Sequence, residues 1–438
     1  MMDSLASSVL RYRGALSDLS AEDRRRLLDR AGSGVDARVT ARVSELISRV
    51  RSEGDRALFD LARQFDRVEL KSLEVPREKW QAALASLDPA VREALTRAAR
   101  NIAKAHAAQK PRAVEIETEP GVLVGRRPDP LGRVGVYAPG GRAVYPSSVL
   151  MGAVPAKVAG VGEVIVCSPP GPNGLPHAAV LAAAAIAEAD RVFALGGAGA
   201  VAALAYGTES VPRVDRIVGP GNAYVAEAKL QVVGAVAIEA PAGPSEILVI
   251  ADGTANPDAV AREMLAQAEH DPEAACVTLA VGEPLAAAIT AAVERLTAGA
   301  KRWEIVTSAL GSRGAVLSVA SLEEAFPFAA DFAPEHLLLA TASPQEDLAR
   351  VRNAGTVFLG ERSSVAYGDY MTGSNHVLPT AGLARAYSGL NLLDFYRWTT
   401  YQRVEAGAAA KLADDVGRLA DSEGLFAHAD AARAWRTP

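Results

Sequence analysis

Two cysteines, six histidines and an aromatic content of 5% are all that 438 residues hold of these types. Cys167 and Cys276 both lie in apolar strand-like runs, VIVCSPP and AACVTLA. That excludes a disulfide framework and leads us to expect buried thiols in a reducing, cytoplasmic setting. Positive charge is not in excess either: the formal net charge is −6. Nucleic acid demands a basic face, so it is not an expected partner. Long apolar runs are also lacking. The longest stretch free of both charged residues and histidine, 192–208, contains four glycines and many alanines, which suits a βα unit better than a transmembrane helix. MMDSLASSVLRYRG has no basic leader ahead of an apolar core, so no secretory signal and no membrane association are read from it. No repeat of fixed period and no low-complexity linker is found.

What is present is a globular composition, 49% hydrophobic and 22% charged, in a chain long enough for two or more domains. The first hundred residues read as helices. SAEDRRRLLDR has a serine cap and an acidic first turn, VDARVTARVSELISRVRSEGDRALFDLARQFD has helical apolar spacing, and a third helical region spans 76–109. VEIETEPGVLVGRRP reads as a strand pair around Pro120 and Gly121. From Gly132 the pattern becomes strand–turn–helix, in two series at about 136–240 and 245–362. Short apolar strands alternating with alanine-rich helices predict two parallel sheets covered by helices. The early helices and hairpin are expected to complete the second series. After about 385 the chain reads as helical, with an aromatic patch, FYRWTTY.

Chemistry is suggested in three places. Segment 368–379, GDYMTGSNHVLP, has neither helical nor strand period and sets Asp369 and His376 seven residues apart among Tyr370 and Asn375. AREMLAQAEHD puts Gln267 and His270 three apart, hence on one helix face. Imidazole with an amide or carboxylate oxygen suits zinc, with Asp369 and His428 as distant candidates; the same spacing also suits a helix cap. Glu335 and His336 stand just ahead of an apolar strand, where a carboxylate beside an imidazole makes either a general base or a salt-bridged strand end. Glycine-rich loops (YAPGG, ALGGAGA, VGPGN) follow strands of the first series, as in nucleotide sites, although packing glycines explain them equally well. Gly197-Ala-Gly199-Ala-Val-Ala202, with Asp215 eighteen residues on, matches a loosened dinucleotide fingerprint. His106 and His177 have no polar company and are assigned no role.

Together these segments closely resemble histidinol dehydrogenases. The likeness runs through GVYAPGGRAVYPSSVLMGAVPAKVAGV, LAYGTESVPRVDRIVGPGNAYV, AGPSEILVIAD, QAEHD, APEHL, GDYMTGSNHVLPT and EGLFAHA, in order. The resemblance implies an α/β fold of two incomplete Rossmann-like (aldehyde-dehydrogenase-like) parallel-sheet domains with helical N- and C-terminal extensions. It divides the chain into a helical segment 1–30, a discontinuous zinc and substrate domain 31–135 with 241–385, an NAD domain 136–240, and a helical tail 386–438 that completes the partner's site in a homodimer. It implies one Zn2+ per subunit on Gln267, His270, Asp369 and His428. Glu335 and His336 would be the acid–base pair, and Ser245, Gln267, His270, His336, Asp369, His376, Glu423 and His428 would surround L-histidinol. Tyr137, Gly199 and Asn222 would meet NAD. The implied reaction is a four-electron oxidation of histidinol to histidine by two NAD. Gly199 departs from the glutamine usual in that family, so Gly199→Gln is expected to lower the KM for NAD.

Three other readings stand beside this one. A relative acting on another small alcohol would not need Glu423 and His428. A zinc hydrolase would leave the glycine loops at 138–141, 196–199 and 219–221 without purpose. A non-catalytic binding protein would need no general-base pair.

Overall fold

The computed structural model describes residues 8–30, 37–140 and 144–437. Residues 1–7 of the expected N-terminal segment, 31–36 at its boundary, and 141–143, which include the last residue of the loop 138–141, lie outside the described residues. In chain order the strands are β1 (Tyr12–Ala15), β2 (Val114–Glu119), β3 (Val122–Pro130), β4 (Arg133–Tyr137), β5 (Glu163–Ser168), β6 (Arg191–Ala194) and β7 (Arg216–Val218). They continue with β8 (Ala237–Ile238), β9 (Glu246–Ala251), β10 (Ala275–Val281), β11 (Gly314–Val319), β12 (His336–Ala340), β13 (Thr356–Leu359) and β14 (Tyr396–Val404).

Two of the three sheets are parallel throughout. One has the order β6-β5-β4-β7-β8 and the other β1-β11-β10-β9-β12-β13. Their central strands read as unbroken apolar runs because helices cover both faces: every residue of β9 and β12 is buried. In the first sheet the chain winds outward through β4, β5 and β6, then returns to β7. The switch point is therefore between β4 and β7, where open α/β sheets take ligands at their carboxyl ends. The hairpin β2–β3 forms as the sequence predicts, and β14 extends it as an antiparallel third strand.

Three expectations need correction. The N-terminal segment is not wholly helical: helix Ala21–Leu28 forms, with Ser20 accepting from Asp23 N at 3.0 Å, but Tyr12–Ala15 is a strand on the edge of β11. Four residues carry too little alternation to announce a strand; the open edge of β11 recruits them. The C-terminal tail is likewise not helical from its start, since FYRWTTY leads into β14, whose aromatic and β-branched residues suit a ladder with β3. Finally, the early helices do not complete the second sheet. Val43, Leu46, Ile47 and Val50 of helix Ala37–Glu53 and Ile102 of helix Pro89–Ala107 belong to the core of the first sheet. The reason is compositional. Helices Ala178–Ile186 and Gly197–Tyr206 are apolar nearly all round, so a further helical layer must bury their outer faces.

Stretch 192–208 resolves into β6 and helix Gly197–Tyr206, and no helix among the described residues is long and apolar enough to cross a membrane. Both cysteines are free and buried, and burial pushes both thiol pKa values far up. His106 Nδ1 donates to Ile102 O at 2.9 Å, and His177 Nδ1 caps its helix by accepting from Ala179 N.

Candidate active site

Asp369 is carried by a short helix, Val365–Tyr370, so segment 368–379 is helical at its start and irregular only from Met371. That helix is fastened to a neighbour: Glu263, on helix Pro257–Ala268, accepts from Val365 N at 3.0 Å. The carboxylate thus fills the capping role that Ser364 leaves open. Gln267 follows Glu263 by one turn, the helix ends at Ala268 with His270 in the turn just past it, where its N–H donates to Gln267 O at 3.2 Å, and Asp369 follows Val365 by one turn. The charge of His270 acts on Asp369 accordingly. Gln267 is 2% exposed and its Nε2 has no hydrogen-bond partner.

Glu335 and His336 sit at the amino end of β12, against the amino end of β9. Glu335 Oε2 accepts from Glu246 N at 2.7 Å, and His336 Nδ1 donates to Glu246 O at 2.9 Å. Both side chains therefore turn to one edge, with Nδ1 and Oε2 3.4 Å apart. A carbonyl only accepts, so Nδ1 carries a proton and Nε2 is the nitrogen left for exchange. Nε2 is buried without a hydrogen-bond partner, 3.7 Å from Asp369 Oδ1. Burial alone would lower the His336 pKa, but Glu335 and Asp369 outweigh it and raise it well above the ordinary value. For Asp369, burial would raise the pKa, yet His336, His376 and His270 hold it below the usual carboxylate range.

The rest of the segment joins the two sheets. His376 Nδ1 donates to Asp369 O at 2.9 Å, so its Nε2 accepts from the Ser148 hydroxyl at 3.2 Å. Burial lowers the His376 pKa, which suits that neutral tautomer. Asn375 Nδ2 donates to Met151 O at 2.8 Å. Ser148 and Met151 belong to helix Pro146–Ala159, which follows β4 of the first sheet. The acid–base edge of one sheet is thereby tied to the switch-point side of the other.

At that switch point Tyr137 is buried and its hydroxyl accepts from Gly197 N at 3.1 Å. Burial pushes the phenol up to about 12. Asn222 is exposed at the start of helix Ala223–Gln231, accepting from Tyr224 N and Val225 N at 3.1 and 3.2 Å. Gly219 between them has φ +114°, and a Cβ there would come within 2.1 Å of Tyr137 O, so only glycine closes this loop. Sequence reasoning missed its clamp. Lys229 Nζ donates to Gly219 O at 3.1 Å, Glu239 Oε1 accepts from Gly219 N at 2.9 Å, and the two side chains pair in the interior. The available signal was Glu239 inside the otherwise apolar run AIEAP; Lys229, in AEAKLQVV beside Glu227 and Gln231, did not stand out. Asp66 was also missed; burial pushes its carboxyl up to about 6.

Two sequence expectations change here. The loosened fingerprint is accidental, because Asp215 Oδ2 accepts from Arg133 N at 2.8 Å at the amino end of β4, the opposite edge from the glycine loop. Gly199 is buried, and a Cβ there would sit 2.9 Å from Leu61 Cδ1 and 3.6 Å from Leu58 Cδ2. A glutamine there therefore requires the Leu61 side chain to shift. Gly199→Gln alone is expected to lose about 1–3 kcal/mol of stability without tightening NAD binding. The pair Gly199→Gln with Leu61→Ala should recover stability and lower the KM for NAD; thermal unfolding and NAD titrations check both. Ser245 is half-buried directly ahead of β9, whereas Glu423, just past helix Ala406–Ser422, and His428, on helix Phe426–Arg433, are exposed, and His428 forms no metal-binding group with His270 and Asp369.

A glycine-looped switch point facing a buried carboxylate–imidazole pair across two parallel sheets is the build of an α/β dehydrogenase. Within that class the chain belongs to the histidinol dehydrogenase family, whose model matches residues 29–436. Histidinol dehydrogenase of Methanosarcina barkeri is 47% identical over 419 residues, 95% of this chain and 96% of that protein. The Nitrosomonas europaea histidinol dehydrogenase is 47% identical over 403 residues, 91% of this chain and 93% of that protein. The crystal structure of histidinol dehydrogenase from Elizabethkingia anophelis superposes with a TM-score of 0.93 at 34% identity, covering 98% of each chain.

Proposed function

We propose that this protein oxidises L-histidinol to L-histidine in two steps, with two NAD and one water, in the cytoplasm. The observation that carries this reading is the Glu335–His336 pair, held on the backbone of Glu246 with His336 Nε2 unpartnered beside Asp369. His336 Nε2 takes the alcohol proton in the first step and leaves an aldehyde. Glu335 then removes a proton from the water that adds to the aldehyde carbon, and the second oxidation yields the carboxylate. NAD supplies the hydride acceptor in each step; Tyr137 and Asn222 at the switch point are its proposed neighbours. Ser245 and His376 line the substrate side.

A zinc ion fits the donors as part of this reading. Among the described residues no group of three or more His, Cys, Asp or Glu side chains is arranged for a metal. One chain nevertheless offers an imidazole, a carboxylate and a buried carboxamide whose nitrogen is orphaned: His270, Asp369 and Gln267. Three donors leave a fourth place, which we assign to His428 of a second copy, with Glu423 beside it on the substrate amine. Bound there, zinc would act as a template for the substrate's imidazole and amino nitrogens and draw the charge of Asp369 away from His336.

Purified protein mixed with L-histidinol and NAD should produce two NADH per histidinol, measured by absorbance, and chelation should abolish this. No NADH with zinc present would overturn the reading, and NADH undiminished by chelation would remove the metal from it.

A further inference from the structure

Glu246 holds both members of the acid–base pair through its own backbone, N–H to Glu335 and C=O from His336. Its side chain is 3% exposed and forms a two-pronged pair with Arg30: Nε to Oε1 at 2.6 Å and Nη2 to Oε2 at 3.1 Å. Oε1 also accepts from Ala381 N at 2.8 Å, just past segment 368–379. The guanidinium reaches further. It donates to Leu27 O, Leu28 O and Phe332 O at 3.3, 3.2 and 2.5 Å, and its centre lies 3.5 Å from the Phe332 ring centroid. Phe332 ends helix Leu322–Phe332, and Ala333 then turns left-handed at φ +48° before the chain arrives at Glu335.

A buried ion pair is a poor way to gain stability, because desolvating two charges offsets most of their attraction. What this pair does is geometric. Through hydrogen bonds of one partner or the other it joins the N-terminal segment, β9, the helix end at Phe332 ahead of the strained turn, and the strap at Ala381. We infer that Arg30 and Glu246 are positioning residues: they fix the peptide groups of Glu246 so that Glu335 and His336 stay aimed at substrate. This rests on the roles proposed above for Glu335 and His336. Arginine is required because lysine cannot form the planar two-pronged contact.

The test compares Arg30→Lys in two backgrounds, wild type and His336→Asn, with thermal unfolding and the Kd for NAD measured alongside. In the wild-type background kcat should fall about tenfold or more, with the KM for NAD and the Kd for NAD unchanged. In the His336→Asn background the first, imidazole-dependent step limits turnover and Glu335 acts only after it, so Arg30→Lys should change kcat by less than twofold. An unchanged kcat in the wild-type background, or an equal fall in both, overturns the inference. A His336→Asn enzyme with wild-type kcat would instead overturn the reading of the acid–base pair. Should Arg30→Lys fail to fold, Glu246→Gln and the apolar pair Arg30→Met with Glu246→Leu, which removes both charges together, carry the same comparison.

Discussion

Replacing His336 with asparagine is expected to lower kcat for histidinol oxidation by about 10²- to 10⁴-fold, the usual contribution of a positioned acid–base group. Asparagine is close in length and can still donate to Glu246 O, so the backbone contact that orients His336 in the native protein has a replacement. What is lost is Nε2, the nitrogen with no hydrogen-bond partner, 3.7 Å from Asp369. NAD affinity should be unchanged, because Tyr137 and Asn222 lie on the other sheet. Steady-state kinetics with NAD binding measured separately decides it; a kcat within threefold of wild type would sink the assignment of His336.

The second large effect concerns the tail. Glu423 and His428 are exposed, and around them Leu419 of helix Ala406–Ser422, Phe426 of helix Phe426–Arg433 and Trp435 just past that helix are 65–68% exposed. In a single chain these large apolar side chains are left uncovered, as at a surface shared with a second copy. His428→Ala and Glu335→Ala proteins should each be nearly inactive alone. Mixed at equal amounts under conditions of subunit exchange, half of the dimers are mixed and each mixed dimer has one intact site. About a quarter of wild-type activity should therefore return. Confirmed mixed dimers without recovered activity would rule out a site shared between copies.

Much of this was legible along the chain because the signals are local. Strand–turn–helix alternation, the Pro120–Gly121 hairpin and the serine cap at Ser20 depend on neighbours a few residues away, and each is found where its pattern stands. Gln267 with His270 was also visible by its three-residue spacing, and Glu335 with His336 as a polar pair ahead of an apolar strand. Strand β1, strand β14 and the layer to which the early helices belong were not legible. Each is decided by what a distant segment leaves open: the edge of β11, the edge of β3, or the outer faces of two alanine-rich helices.

The buried pairs show the same division. Arg30 and Glu246 are 216 residues apart, so neither one's sequence context announces the other. Lys229 and Glu239 are only ten apart, yet their purpose emerges once Gly219 is seen between them. Sequence by itself determined the class of fold, the family and the identity of the polar groups, because periodicity and residue chemistry are properties of short stretches. Tertiary structure alone decided which backbone holds the acid–base pair, that Leu61 crowds Gly199, and that His428 is exposed and forms no metal-binding group with His270 and Asp369. Those are consequences of packing and of buried groups requiring partners, and only the folded chain supplies the partners.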